Sequence, residues 1–194
     1  MASDVRAKIV SAAAECFLSL GYNGCSVQDI VSAAGVPKGS FYNYFKAKEL
    51  LALEVLDNYV TASGREILSD DALAPAVRIR NHFEHLAAEY ARVGYEKGCL
   101  IGNLAAEVSE HTPLLAGAIM RSLSSWTVAL AGAIREGQQS GGIAAGVNAE
   151  QFARFMINAW EGAVVRMKIT KERQPLDDFF TVTFPILNPS GGTR

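Results

Sequence analysis

Residues 26–50, SVQDIVSAAGVPKGSFYNYFKAKEL, carry punctuation that leaves the backbone few choices. Ser26 is a residue type that caps helix starts, and Val27, Ile30, Val31 and Ala34 follow it at helical spacing. Gly35 stands where that helix has to stop, and Pro37 stands at or just before the next start. A second short helix, 38–45, follows at once. Two helices joined by three or four residues, with glycine in the turn, make a helix-turn-helix. The second helix does not read as a core helix. Lys38, Ser40, Tyr42, Asn43 and Tyr44 are polar or amphipathic, whereas Phe41 and Phe45, four apart, can face inward. Backbone N–H groups around Lys38, Gly39 and Ser40 favour phosphate, and Gly39 lets a nucleic-acid backbone come close. Apolar inside with basic and aromatic outside is the pattern of a nucleic-acid reader.

The charge distribution agrees. The 194 residues carry a net charge of −2, so the chain as a whole is no polycation. Residues 1–48 hold five basic side chains (Arg6, Lys8, Lys38, Lys46, Lys48) against three acidic ones (Asp4, Glu15, Asp29), a net of +2, which leaves −4 for the remainder. A basic head on an acidic body suits contact with a polyanion at one end only. Apolar residues make up 49% of the chain, enough for the core of one large domain, or of a small and a medium one. The first turn already holds Asp4, Arg6 and Lys8 with no apolar run behind them, so no signal peptide is expected. No stretch reaches the ~18 uninterrupted apolar residues of a membrane span. Cys16, Cys25 and Cys99, odd in number and far apart, suit reduced thiols and a cytoplasmic setting rather than a disulfide framework.

Helical periodicity runs through the rest. Val5, Ile9, Ala12, Ala13, Cys16, Phe17 and Leu20 predict an amphipathic helix over 4–20, stopped by Gly21, that buttresses the two-helix unit. Cys16 is filler in its apolar stripe. Cys25 stands just before a helix start, where a thiol pKa can fall, although a packing residue is the plainer reading. A longer helix over 47–68 links head to body, with Lys48 in its first turn able to reach a phosphate. Pro75 suits the first turn of a helix running to about 95. His82, His85 and Glu89 share one face of it and could hold a metal. With no fourth ligand in view, a solvated or pocket-lining face is expected, with no metal and no cofactor. Further helices are expected over 99–107, 112–140, 149–169 and 176–186, with Pro185 ending the last and a polar tail fraying from Asn188. The 149–169 helix is apolar on more than one side, so several neighbours must cover it. The fold class is therefore all-α, about nine helices with no convincing strand. An all-helical enzyme finds no support, since neither a phosphate-binding glycine loop nor a nucleophile–base motif is present.

Phe17, Gly21, Tyr22, Ser26, Ile30, Ala34-Gly35-Val36, Lys38-Gly39-Ser40-Phe41-Tyr42, Tyr44-Phe45 and Lys48-Glu49-Leu50 together resemble the tetracycline-repressor (TetR) family of bacterial transcription regulators. The likeness covers the first quarter of the chain. It implies a homodimeric, ligand-responsive repressor that binds a palindromic double-stranded DNA operator and is released by a small-molecule effector. It implies a helix-turn-helix DNA-binding domain over 1–48 and an effector-binding and dimerisation domain over 49–194. The last two long helices, within 149–186, would pair with those of a second copy, and their apolar excess argues for that copy independently. Two-fold symmetry also doubles a site that one short helix reads poorly. Position by position, Ser26, Lys38, Tyr42, Tyr44 and Lys48 would touch the DNA backbone and Gly39 would allow its approach. Lys38, Ser40 and Asn43 would face base edges. The effector cavity is expected among the helices of 50–140, with a possible reach into the next one. Phe83, Tyr90, Cys99, Asn103, Trp126 and Asn158 are its candidate lining, chosen as aromatic or polar residues on faces expected to point inward. Mostly apolar walls imply a mostly apolar or aromatic effector. The segment GCLIGNLAAE, 98–107, resembles one branch of the same family in which a cysteine here reacts with electrophiles or oxidants. Cys99 fits that position, at a helix start beside Lys97, and makes a thiol-based sensor the alternative to reversible ligand binding.

Overall fold

The computed structural model describes residues 2–188, and among these it contains nine α-helices and no strand. They are α1 (Ala2–Gly24), α2 (Val27–Ala33), α3 (Lys38–Tyr44), α4 (Lys48–Thr61), α5 (Pro75–Arg92), α6 (Leu100–Glu107), α7 (Pro113–Gln139), α8 (Ala149–Thr170) and α9 (Gln174–Leu187), with a short 3-10 turn, Arg65–Ser69, before α5. The chain divides into two compact units, Met1–Thr61 with Cys99–Ser122, and Ala62–Gly98 with Leu123–Arg194. Packing thus groups α4, α6 and the opening turns of α7 with the head, whereas the expected division is at residue 48.

Two expected boundaries differ. The helix expected over 47–68 is α4 plus the separate 3-10 turn, because Gly64 between them is left-handed (φ 67°) and cannot continue a right-handed helix. Pro185 lies inside α9 rather than ending it. Its missing N–H forfeits one bond, to the carbonyl of Thr181, and Thr181 is exposed to water that can replace it. The tail expected to fray lies, beyond Asn188, outside the described residues.

The first unit is cored by Ile9, Ala13 and Phe17 of α1, Ile30 of α2, Phe41 of α3 and Leu51 of α4, all fully buried. Leu20, expected in the same stripe, is exposed. The backbone leaves the helical path at Gly21 (φ 76°, ψ 169°), so the regular part of α1 ends there and residues 22–25 form the turn that leads into α2. The core of the second unit is aromatic. Phe83 of α5 packs on Trp126 of α7 (ring centroids 6.2 Å), Trp160 of α8 (5.1 Å) and Phe179 of α9 (4.8 Å). Each such pair adds ~0.5–1.5 kcal/mol beyond its buried area. A buried charge fastens the same unit. Arg78, 3% exposed, donates through Nε to the Leu73 carbonyl (2.9 Å) and pairs with Glu136 of α7. Among the described helices α7 alone has the length and apolar content needed to cross a membrane, yet its Leu115, Trp126, Leu130 and Ile134 are buried within the protein.

Candidate nucleic-acid interface

Local chemistry builds the reader. At the start of α2 the Ser26 hydroxyl accepts the Asp29 N–H (3.1 Å), and the Asp29 carboxylate accepts the Ser26 N–H (2.8 Å), a reciprocal capping box. The Ser26 hydroxyl also donates to the Asp29 carboxylate (2.6 Å), and this bond, followed by that of the Ser26 N–H, holds the Asp29 carboxyl below its ordinary pKa. At the other end, Gly35 (φ 66°) adopts the left-handed conformation. Its N–H bonds the Ser32 carbonyl (3.1 Å), and the Val36 N–H bonds the Val31 carbonyl (3.0 Å). That pair of bonds is a Schellman stop, and it turns the chain into Pro37, the N-cap of α3. Phe41 and Phe45 anchor α3, their ring centroids 5.8 Å apart and both buried.

What α3 turns outward is what the sequence singled out. Lys38, Gly39, Tyr42 (58% exposed) and Asn43 are exposed, and Ser40 and Tyr44 are half-buried. Ser26 is exposed as well, with its hydroxyl engaged in the cap. Gly39 has a negative φ, and a Cβ built on it would meet no protein atom within 4 Å. Nothing inside the protein requires glycine there.

Lys48 is placed differently. Its Nζ donates to the carbonyls of Tyr22 (2.7 Å) and Cys25 (2.8 Å) and lies 4.3 Å from the centre of the Tyr22 ring. Two of its three N–H donors therefore tie α4 to the turn between α1 and α2. The other face of that turn is held by Glu107, whose carboxylate accepts the N–H groups of Tyr22 (3.1 Å) and Asn23 (2.7 Å). Nothing in the local sequence announced this contact, because its partners are more than 80 residues apart. Cys25 does not show the lowered pKa that its place before a helix start allowed. Burial foremost, and then the adjacent Cys16 thiol to which it is hydrogen-bonded, push it up to about 12. It is a packing residue.

The residues expected around an effector are distributed between the units. Phe83, Tyr90 and Trp126 lie in the second, all buried; Phe83 and Tyr90 pack on Trp160, which sequence reading treated only as part of an apolar helix, and Trp126 packs on Phe83. Cys99 and Asn103 belong to the first; Cys99 is the buried N-cap of α6, and Asn103 is half-buried. Asn158, expected to point inward, is exposed. The buried side of α8 is formed by Phe152, Met156, Trp160, Val164 and Met167, and Asn158 lies on the opposite side. His82 does not join a polar face with His85 and Glu89. It is fully buried, with Nδ1 3.0 Å from the Gly64 carbonyl and Nε2 2.9 Å from Trp126 Nε1. An indole N–H can only donate, so Nε2 accepts and Nδ1 carries the proton that reaches Gly64. Both ring nitrogens are thereby used, and neither offers a metal a lone pair. Burial is the main cause lowering the His82 pKa, to about 4. Glu89, meanwhile, bonds Arg92 (2.9 Å).

Comparison with known proteins bears on the same two regions. Residues 9–55 match the family described as bacterial regulatory proteins of the tetR family, and residues 75–183 match the tetracyclin repressor-like C-terminal domain. The HTH-type transcriptional repressor DhaR of Mycobacterium sp. (strain GP1) is 39% identical over 189 residues, 96% of this chain and 93% of that protein. The transcriptional regulator AcuR of Cereibacter sphaeroides is 35% identical, over 94% of this chain and 84% of its own. The crystal structure of a regulatory protein TetR from Rhodobacter sphaeroides superposes with a TM-score of 0.87 at 31% identity, covering 93% of this chain and 97% of that one.

Proposed function

Since the chain belongs to the TetR family of helix-turn-helix transcriptional repressors, we propose that it works as a homodimer on a palindromic operator and releases it when a small, mostly apolar or aromatic effector binds. In this reading α3 enters the major groove. Lys38, Tyr42, Tyr44 and the remaining donor of Lys48 serve the phosphates, Ser26 fixes the start of α2 because its hydroxyl and N–H protons both go to Asp29, and Lys38, Ser40 and Asn43 face base edges. The observation that carries it is Gly39, which neither backbone conformation nor internal packing requires and which sits among exposed Lys38, Tyr42 and Asn43. A surface within close reach of DNA accounts for it. Selection from random duplex DNA followed by footprinting is the test. One short palindrome is the expected result, and uniform coverage would overturn the reading. Such a regulator acts in the cytoplasm, where its DNA is.

The dimer is supported by α8 and α9. Phe155, Asn158, Gly162, Val165 and Ile169 recur at alternating spacings of three and four along α8 and are all exposed, Val165 at 61% and Ile169 at 79%. Val182 and Ile186 on α9 are exposed too. Spacing of this kind is a seam for another helix, and a second copy of α8 and α9 would cover it. The effector reading draws on the buried cluster in which Phe83 meets Trp126 and Trp160, and Tyr90 meets Trp160. The effector must favour a form whose two readers are wrongly spaced for the operator. Titrating small aromatic compounds against tryptophan fluorescence and operator affinity together tests it; quenching without release would sink it.

A thiol input through Cys99 is a second reading, favoured by its position as the N-cap of α6, whose last residue holds the turn before the reader. Operator affinity measured before and after alkylation decides it, and unchanged affinity of protein carrying the adduct on Cys99 would rule it out.

A further inference from the structure

We propose that Glu107 is a positioning residue of the DNA reader: from the end of α6 it holds the turn between α1 and α2 in the form that presents α3. The inference rests on the DNA-binding reading above and assigns the residue that controls it.

Several observations meet at this one turn. The Glu107 carboxylate takes two successive backbone N–H groups, Tyr22 on Oε1 and Asn23 on Oε2 (3.1 and 2.7 Å), and the Glu107 carbonyl accepts from Asn23 Nδ2 (3.3 Å). Successive N–H groups converging on one anion form a backbone nest. The nest exists here because Gly21 is in a positive-φ conformation that other residues adopt at a cost (φ 76°, ψ 169°). A Cβ at position 21 would stand 2.3 Å from Oε1 of Glu107, so glycine is required by the approach of the carboxylate as well as by the dihedral angles. On the other side Lys48 takes the carbonyls of Tyr22 and Cys25. The turn is thus gripped through its N–H groups by α6 and through its carbonyls by α4.

The two grips are not equivalent. Lys48 opens the helix that directly follows the reader, and so stays with it. Glu107 comes from 84 residues further along the chain than Asn23. Cys25, the last residue of the turn, precedes the N-cap Ser26, and α2 passes its orientation to α3 through the Gly35 stop. Withdrawing the carboxylate leaves two N–H groups without their acceptor, frees the turn, and loosens the angle at which α3 is offered. Bonds to the Glu107 carboxylate and from the Lys48 ammonium are both charge-assisted and stronger than neutral ones, so the loss of either loosens the turn.

The test compares the full-length wild type with Glu107→Ala, Glu107→Gln and Gly21→Ala on the palindrome selected by the wild type and on an unrelated duplex. Amide exchange at Tyr22 and Asn23 is followed in parallel. Glutamine keeps one acceptor oxygen in place and alanine keeps none. Glu107→Ala should speed exchange at both amides and weaken palindrome binding by ~10-fold, with Glu107→Gln intermediate at ~3-fold and binding to the unrelated duplex unchanged. Gly21→Ala, which displaces the carboxylate with Glu107 still present, should follow Glu107→Ala. A merely structural residue would lower the melting temperature while the folded protein kept its preference for the palindrome, and that outcome overturns the proposal. A wild type that selects no palindrome overturns the DNA-binding reading instead.

Discussion

The outward face of α3 and the aromatic cluster around Trp160 invite comparison, since both were singled out by residue type and the fold treats them in opposite ways. Phe41 and Phe45 do the packing for α3, and Lys38, Gly39, Tyr42 and Asn43 are left on the surface. In the second unit packing consumes Phe83, against Trp126, Trp160 and Phe179, Tyr90, against Trp160, and Trp126, against His82 and Phe83. A residue that the fold does not use points to what lies outside the protein. A residue that packing already explains says little about a ligand. The row Phe155, Asn158, Gly162, Val165 and Ile169 of α8 is, like the outward face of α3, left exposed by the fold.

The sharpest way to break this contrast is to spoil that row. Val165→Asp with Ile169→Asp should leave the folded monomer within ~0.5 kcal/mol, because neither side chain is buried. It should nonetheless abolish dimers in light scattering and weaken operator binding ~1000-fold, towards the non-specific level. A double variant that still dimerises would show that exposure does not mark function here.

The body should show the next largest effect, through its own packing. The His82 pKa in the folded protein is about 4, below the ordinary 6.5, so the unfolded chain takes up the proton first. The stability contributed by neutral His82 is complete above about pH 6.5 and is lost as pH falls through about 4, a total of about 3 kcal/mol. Denaturant melts from pH 7 to 4 should show this decline, and it should be absent in a His82→Gln variant that remains folded. The head, whose reading residues carry no buried histidine, should contribute none of it.

Smaller effects belong to α3 and its support. Asn43→Ala should change base preference at one operator position by ~1–3 kcal/mol without moving the melting temperature. Equal loss on every sequence would remove Asn43 from base reading. Gly39→Ala should stabilise the protein by up to ~1 kcal/mol, through helix propensity, while weakening operator binding several-fold. Unchanged DNA affinity would leave the glycine unexplained. Lys48→Ala combines both sides of the contrast. It should flatten the salt dependence by about one unit if a phosphate is its third partner, and it should cost ~1 kcal/mol of stability through the lost carbonyl contacts.

Legibility followed the range over which each signal acts. The N-cap Ser26, the Gly35 stop, Pro37 and the inward pair Phe41 and Phe45 all act within a few residues, and each is found at the position its type implies. Gly64 went unread as a break because the apolar pattern runs up to it and resumes beyond it. Asn158 was placed on the wrong side of α8 because a helix apolar on two faces does not say which of them its own subunit covers. Cys25 was open to a lowered pKa by its place before a helix start, and burial beside Cys16 reversed the direction.

The amino-acid sequence by itself determined an all-helical chain with a helix-turn-helix at its head, because capping, helix stops and 3.6-residue periodicity are properties of neighbours along the backbone. Only the tertiary structure decided that Lys48 turns back onto Tyr22 and Cys25, that Glu107 closes the turn at Gly21, and that Trp126 fixes the tautomer of His82. Each of these joins groups 23 to 85 residues apart. Hydrogen bonds at such separations are chosen by how helices pack, and packing depends on the summed shape of every face rather than on any local pattern of residues.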